Sequence, residues 1–303
     1  MRIDKIAVIG VGLIGGSCAL ALKRAGAVNT VLGIGRSAAN LADALRLGIV
    51  DRALRVDEPW TRELRDADVV LLATPVAQYP ALFAAIAPCI GPDTVITDAG
   101  STKQDVIAAA RATLGSKLPR LVPGHPIAGT EHTGAAAAFA TLFDGRNVIL
   151  TPMPETAADA TRRVTALWQA CGARVSTLEP ARHDAIFAAV SHLPHVLAFA
   201  LVAELAARPD AAAYFEHAAS GFRDFTRIAA GSPEMWRDVA LANRDALLAE
   251  IDCYADALRA ARAMIDEADG EALATLFAEA SRARRSWEAR RLQPVVDEMG
   301  KQR

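Results

Sequence analysis

The sequence is short of net charge, of aromatic residues and of cysteine, and each shortage excludes something. Its 33 basic and 35 acidic side chains leave a net charge of −2, with no long run of one sign. No surface for nucleic acid or for an anionic membrane is therefore expected. Aromatic residues make up 5% of the chain and hydrophobic ones 52%, much of that alanine, which suits close helix packing better than a β-sandwich. Cys18, Cys89, Cys171 and Cys253 are scattered, with no C-x-x-C and no adjacent histidine. Four buried thiols in a reducing cytoplasm are expected, and no metal site. The first strand is read as beginning within a few residues of Met1, so no secretion signal is expected. The longest apolar stretch, residues 185–207, is interrupted by Ser191, His192, Pro194, His195 and Glu204, and is read as too polar at its centre to span a bilayer.

What is present begins with an apolar run, residues 6–10, that reads as a strand buried on both faces. Gly10, Gly12 and Gly15 follow as G-x-G-x-x-G, and residues 13–25 are compatible with a helix that Gly26 ends. The first glycine permits a tight turn, the second lets a pyrophosphate approach the backbone, and the third lets helix and strand pack closely. Gly10, Gly12, Leu13, Ile14 and Gly15 thus form a candidate dinucleotide cradle on a helix N-terminus. A second strand, 28–35, completes a βαβ start and ends in Arg36-Ser37, where an NAD site usually carries an acid. A guanidinium and a hydroxyl there suit a 2′-phosphate, so NADP is favoured over NAD, unless Arg36 is simply a solvated loop residue.

Further strands are expected at 68–75, ending in Thr74-Pro75 against the cofactor, and at 94–98, which delivers Ala99-Gly100-Ser101-Thr102-Lys103. Ser101 is placed to meet a nicotinamide or a substrate hydroxyl, and equally to N-cap the helix beginning near Gln104; both roles can hold together. Strands at 147–151 and 173–178 are expected to close the same sheet around a helix at 157–171. From Glu179 the pattern turns helical, beginning with one long helix over 179–207. Two domains follow, 1–178 for the dinucleotide and 179–303 for substrate and dimerisation: an α/β Rossmann-type domain, then an all-helical one.

His125 lies between Gly124 and Pro126 in a Gly/Pro-rich loop, a platform for a general base, with a structural histidine as the alternative. Arg223 and Arg227 are four apart, on one face if the segment is helical, and could grip the carboxylates of a small di-acid; alternatively one of them pairs with Asp224.

Taken in order, the glycine motif, 98–103, Gly124-His125-Pro126-Ile127-Ala128-Gly129-Thr130-Glu131, Ser191-His192-Leu193-Pro194-His195 and 223–229 resemble the prephenate/arogenate (cyclohexadienyl) dehydrogenase family. The resemblance implies oxidation of a ring hydroxyl by hydride transfer to NAD(P)+, with loss of CO₂ and aromatisation, in tyrosine biosynthesis. It implies His125 as the base, Ser101 orienting hydroxyl and nicotinamide, Arg227 on a substrate carboxylate assisted by Arg223, and Glu131 and His195 lining the pocket. A cytoplasmic homodimer joined through the helical domain is expected, with neither a mutase segment nor a regulatory domain attached. Two rivals remain: a 3-hydroxyacid-type dehydrogenase, which uses a helix lysine, and a non-catalytic NADPH-binding sensor. Between Lys23 and Lys301 the only lysines are Lys103 and Lys117, neither in the helical half.

Overall fold

The computed structural model describes residues 2–130 and 132–292. Six strands make a parallel sheet: β1 (Ile3–Ile9), β2 (Val28–Gly35), β3 (Arg52–Arg55), β4 (Val69–Leu72), β5 (Val95–Asp98) and β6 (Leu121–Val122). Their order is β3-β2-β1-β4-β5-β6, so the winding reverses between β1 and β4 and opens a crevice at the carboxyl ends of those two strands. β1 explains why the sheet is buried on both faces. Its Ile6 and Val8 join one apolar core and its Ala7 and Ile9 the other, all at most 1% exposed.

The helices that build those cores are α1 (Leu13–Arg24), α2 (Ala38–Arg46), α3 (Tyr79–Ile86), α4 (Gln104–Thr113) and α5 (Ala158–Ala170). Cys18 and Leu22 of α1 meet Val164, Leu167 and Trp168 of α5 on one face; Phe83 and Ile86 of α3 meet Val106 and Ala110 of α4 on the other. Of the four cysteines only Cys18 and Cys171 are buried, their sulfurs 3.9 Å apart, whereas Cys89 is half-buried and Cys253 exposed.

The later strands do not extend the main sheet as the sequence reading has it. β7 (Gly124–Pro126), β8 (Asn147–Leu150) and β9 (Arg174–Thr177) form a separate three-stranded sheet, β7 antiparallel and β9 parallel to β8. His125 therefore stands in a strand rather than a loop, with Ile149 as its cross-strand partner.

The expected single helix after Glu179 is three segments: α6 (Pro180–Phe187), a π-helical turn (Ala188–His192) and α7 (Leu193–Ala206). Pro194 has no N–H to give and its ring crowds the preceding turn, so the backbone widens there. By length and composition Pro180–Ala206 is long and apolar enough to cross a membrane, where its polar centre argues against this in the sequence. Its His183, Asp184 and His192 are nevertheless buried and hydrogen-bonded to other parts of the protein.

Short helices α8 (Ala211–Glu216), α9 (Ser220–Thr226) and α10 (Pro233–Ala242) precede α11 (Arg244–Asp266) and α12 (Gly270–Leu292). The chain divides into two compact units, Met1–Leu247 and Leu248–Arg303. Every residue of the site described below belongs to the first. The second is helical where it is described, and Leu258, Ile265, Phe277 and Trp287 are exposed on it.

Candidate active site

The glycine-rich turn has the shape that the motif requires. Gly10 adopts φ +99°, and a Cβ there would lie 2.5 Å from the carbonyl oxygen of Ala73 at the end of β4. A Cβ on Gly15 would lie 2.2 Å from the Gly10 carbonyl, so this glycine is set by the closeness of helix and turn. Gly12 is different. A Cβ there would meet nothing within 4 Å, so the protein itself leaves open the space that the motif keeps free. Gly12 is also the N-cap of α1, with no side chain capping the first turn and no acid in it. The first-turn N–H groups of this helix, those of Leu13 and Ile14 among them, could hold an anion such as a dinucleotide pyrophosphate. Thr74 and Pro75, half-buried, follow β4 beside Gly10, with the Thr74 methyl close to the turn.

At the end of β2, Arg36 is exposed and Ser37 caps α2, its hydroxyl accepting from the Asn40 N–H at 3.2 Å. Asn40 in turn donates to the Val11 carbonyl at 2.7 Å, tying α2 to the glycine turn. With its lone pair engaged, the Ser37 hydroxyl retains a proton to donate.

Asp98, the last residue of β5, organises the two segments expected to carry the chemistry. One carboxylate oxygen accepts from the Gly100 N–H (2.8 Å) and from the Lys103 ammonium (2.5 Å); the other accepts from the Gly124 N–H (3.0 Å). Lys103 also donates to the Gly124 carbonyl at 2.7 Å, and both charged side chains are fully buried. One ion pair thus fixes the loop of Ser101 and the strand of His125. Ser101 is half-buried and does not cap α4. The N-terminus of α4 is capped instead by Asp184 on α6, which accepts from the backbone N–H groups of Lys103 and Gln104, each at 2.8 Å.

His125 is 9% exposed, and its Nδ1 is 2.9 Å from Nε2 of the fully buried His183. His183 Nδ1 lies 2.8 Å from Asp184. Phe187 packs against both rings, with centroids at 4.7 and 4.5 Å. Burial pushes the His125 pKa well below its ordinary value, helped by the neighbouring His183 and Lys103. His183 is also lowered, burial outweighing Asp184. Burial would raise the Asp184 carboxyl, but the hydrogen bonds from His183 and the α4 backbone hold it below its usual range.

The network continues through Asn243, whose amide donates to the Asp184 carbonyl (2.8 Å) and to His192 Nδ1 (3.1 Å). His192 is 1% exposed, and burial brings its pKa to about 4. The rings of His192 and His195 both meet Trp236, the latter stacked at 3.4 Å. These three residues and Phe199 line a mainly apolar cavity of about 240 Å³. His195 Nδ1 donates to the Ser191 carbonyl at 2.8 Å, filling the place opened by the π-turn. Burial lowers its pKa, and the charge of Arg227 lowers it further, so these two expected substrate ligands lie together.

Arg227 is exposed and begins a 3₁₀ turn that follows α9, so it does not continue the helical face of Arg223. Arg223 is exposed and pairs with Asp224 at 3.4 Å, the alternative left open by the sequence. Glu131 lies outside the described residues. Sequence reasoning gave no role to Asp98, Lys103, His183, Asp184, Trp236 or Asn243. The one signal on offer was His183-Asp184, a polar pair entering an otherwise apolar helix.

Comparison with known proteins covers most of the chain. The family model described as "Prephenate dehydrogenase, nucleotide-binding domain" matches residues 18–177, and the one described as "Prephenate dehydrogenase, dimerization domain" matches residues 179–279. The chain is 38% identical over 285 residues to a cyclohexadienyl dehydrogenase of Zymomonas mobilis, covering 92% of this chain and 94% of that protein. It is 36% identical over 276 residues to a prephenate dehydrogenase of Bacillus subtilis, covering 90% and 73%. Among solved structures, a prephenate dehydrogenase from A. aeolicus in complex with hydroxyphenyl propionate and NAD+ aligns with a TM-score of 0.88 at 32% identity, covering 94% of this chain and 99% of that one.

Proposed function

The chain belongs to the prephenate dehydrogenase family of NAD(P)-dependent oxidoreductases, and from that premise we propose that it oxidises the ring hydroxyl of prephenate, arogenate or both. The observation that carries this reading is the placing of a buried, neutral His125 and the Ser101 loop by one clamp, Asp98–Lys103, beside a dinucleotide cradle. The nicotinamide, when bound, accepts the hydride. His125 takes the proton of the hydroxyl through Nε2, the ring nitrogen left over by the bond to His183. Ser101 holds that hydroxyl in line, and Phe187, packed against the buried His125 ring, shields the base from water. The ring carboxylate then leaves as CO₂, and the electrons of its bond complete the aromatic ring. Aromatisation makes the step one-way, so the chain needs no second acid. Arg227, assisted by Arg223, receives a substrate carboxylate, and His195 and Glu131 are polar residues of the pocket lining.

NADP is the favoured cofactor, because Arg36 and the Ser37 proton offer a cation and a donor where an acid would favour a free ribose. A homodimer is supported by the description of the family model over 179–279 and by exposed Leu258, Ile265, Phe277 and Trp287. The two cysteines that lie close together without a disulfide suit a reducing cytoplasm. A nucleotide sensor would have no use for a buried base linked to two further polar residues.

Initial rates at 340 nm with prephenate and arogenate, each crossed with NAD+ and NADP+, test the proposal. At least one pair is expected to turn over, fastest with NADP+, and His125→Asn is expected to lower the rate by about 10²–10⁴. Silence with all four pairs while the dinucleotide still binds would refute it. Arg36→Asp is expected to move the preference towards NAD+; an unchanged preference would remove Arg36 from the reading.

A further inference from the structure

Resting on the reading of His125 as the base, we propose that His183, held by Asp184, is a positioning residue that fixes the tautomer of His125, so that Nδ1 carries the proton and Nε2 presents a lone pair to the substrate.

The direction of each bond follows from the donors around Asp184. Its oxygens accept from the backbone N–H groups of Lys103 and Gln104, which can only donate. An ionised carboxylate can only accept, so His183 Nδ1 is the donor in the 2.8 Å bond. A neutral His183 then has its lone pair on Nε2 and must accept from His125 Nδ1–H across 2.9 Å. His125 is left with an unprotonated Nε2. The two fixed backbone donors of α4 thereby set the proton positions on two imidazoles in succession.

The neighbouring charges leave this order undisturbed. The Lys103 ammonium is engaged by Asp98 and the Gly124 carbonyl. His192 is held through Asn243, which donates to it and to the Asp184 carbonyl, so it offers nothing to His183. Burial keeps both rings of the pair neutral at working pH, since each is shifted below its ordinary pKa. Phe187 packs edge-on against His125 and at a tilt against His183, so the rings cannot turn over without repacking. The magnitude at stake is large: in hydrolase triads a wrong histidine tautomer lowers turnover by about 10⁴.

Nitrogen-15 NMR of the histidine side chains in the wild-type protein, with His125 assigned through His125→Asn, reads the tautomer directly. The expected result is a protonated Nδ1 and an unprotonated Nε2 on both His125 and His183 above pH 7. A protonated Nε2 on His125 would overturn the proposal. Kinetics give the second test: His183→Phe removes the acceptor and is expected to lower kcat by about 10²-fold or more with KM for the dinucleotide unchanged. His183→Gln, whose amide oxygen can accept from Nδ1–H, is expected to restore turnover to within about tenfold of wild type. Turnover by His183→Phe within about threefold of wild type would overturn the assignment. So would a His183→Gln variant no faster than the Phe variant at equal thermal stability. A wild-type protein inert towards both substrates would instead defeat the functional reading, and the tautomer would still be decided by NMR.

Discussion

Replacing Lys103 by methionine should cost more than replacing it and Asp98 together. The ion pair is fully buried at 2.5 Å, and Lys103→Met would leave the Asp98 carboxylate with neutral donors alone, the Gly100 and Gly124 N–H groups among them. Breaking one side of a buried pair costs about 3–5 kcal/mol, because the remaining charge keeps its desolvation penalty. The Gly124 carbonyl also loses its ammonium donor. In the double variant Asp98→Asn/Lys103→Met no charge is left behind. Its amide can accept from one glycine N–H and leaves the other without an acceptor, which costs about 1–3 kcal/mol. The single variant should therefore melt lower than the double one by the equivalent of about 2 kcal/mol, so that the coupling between the two sites exceeds the whole cost of Asp98→Asn alone. At roughly 2–4 °C per kcal/mol, Lys103→Met should lose about 6–20 °C in Tm. Thermal melts of wild type, both single variants and the double variant, at one pH and salt concentration, measure the cycle. Additive losses, or a Lys103→Met variant within about 1 kcal/mol of wild type, would refute the clamp and with it the argument that Asp98 sets the His125 strand.

The roles of the second and third glycines of the motif should separate. Gly12→Ala is expected to leave stability within about 0.5 kcal/mol but to weaken dinucleotide binding at least tenfold by calorimetry, whereas Gly15→Ala should destabilise by about 1–3 kcal/mol or more through the 2.2 Å clash with the Gly10 carbonyl. Arg227→Ala should act on substrate use, reducing kcat/KM by about 2–5 kcal/mol equivalent while dinucleotide affinity stays as it was; equal loss of both would place the arginine elsewhere. Stability should fall with acid: His192 titrates near 4 when folded against 6.5 when unfolded, so below pH 6.5 the unfolded chain binds the extra proton first. Stability present above that point is lost progressively down to about pH 4, by about 3 kcal/mol from this residue. His192→Asn, which can still accept from Asn243, should flatten denaturation midpoints measured from pH 7.5 to 4.5; an unaltered slope would exclude His192 as the source.

Features governed by neighbouring residues were legible in the sequence. β2 spans the residues expected, α1 starts at Leu13, and a glycine of positive φ ends it, because a strand's apolar run and a helix's boundary are set within a few positions. Gly10 and Gly15 stand in the tight turn and the close helix–strand approach expected of them, since both follow from backbone clearance at that turn. Ser101 shows where local logic stops. A serine shortly before a helix is a reasonable cap, yet the donors of α4 are met by Asp184, some 80 positions later in the chain. The second sheet escaped for a like reason: residues 147–150 read as a strand whichever partner they take, and pairing with 124–126 is decided by tertiary packing.

The polar heart of the site was hidden by a default that the molecule breaks. Lys, Asp and His are normally given to the surface, so Lys103, Asp98 and His183 were not placed in the core. One pair should have drawn the inference without any structure. His183-Asp184 opens into Ala185-Ile186-Phe187-Ala188-Ala189-Val190, a run that must be largely buried to be stable. An unpartnered carboxylate in such a place would cost several kcal/mol, so the pair implies donors waiting elsewhere in the fold. Here they are the first backbone N–H groups of α4 and, one imidazole further on, His125. The same desolvation that demands those partners keeps His125 neutral, so a single physical cause, burial of polar groups in matched sets, both ties α6 to α4 and β7 and holds His125 in its uncharged form.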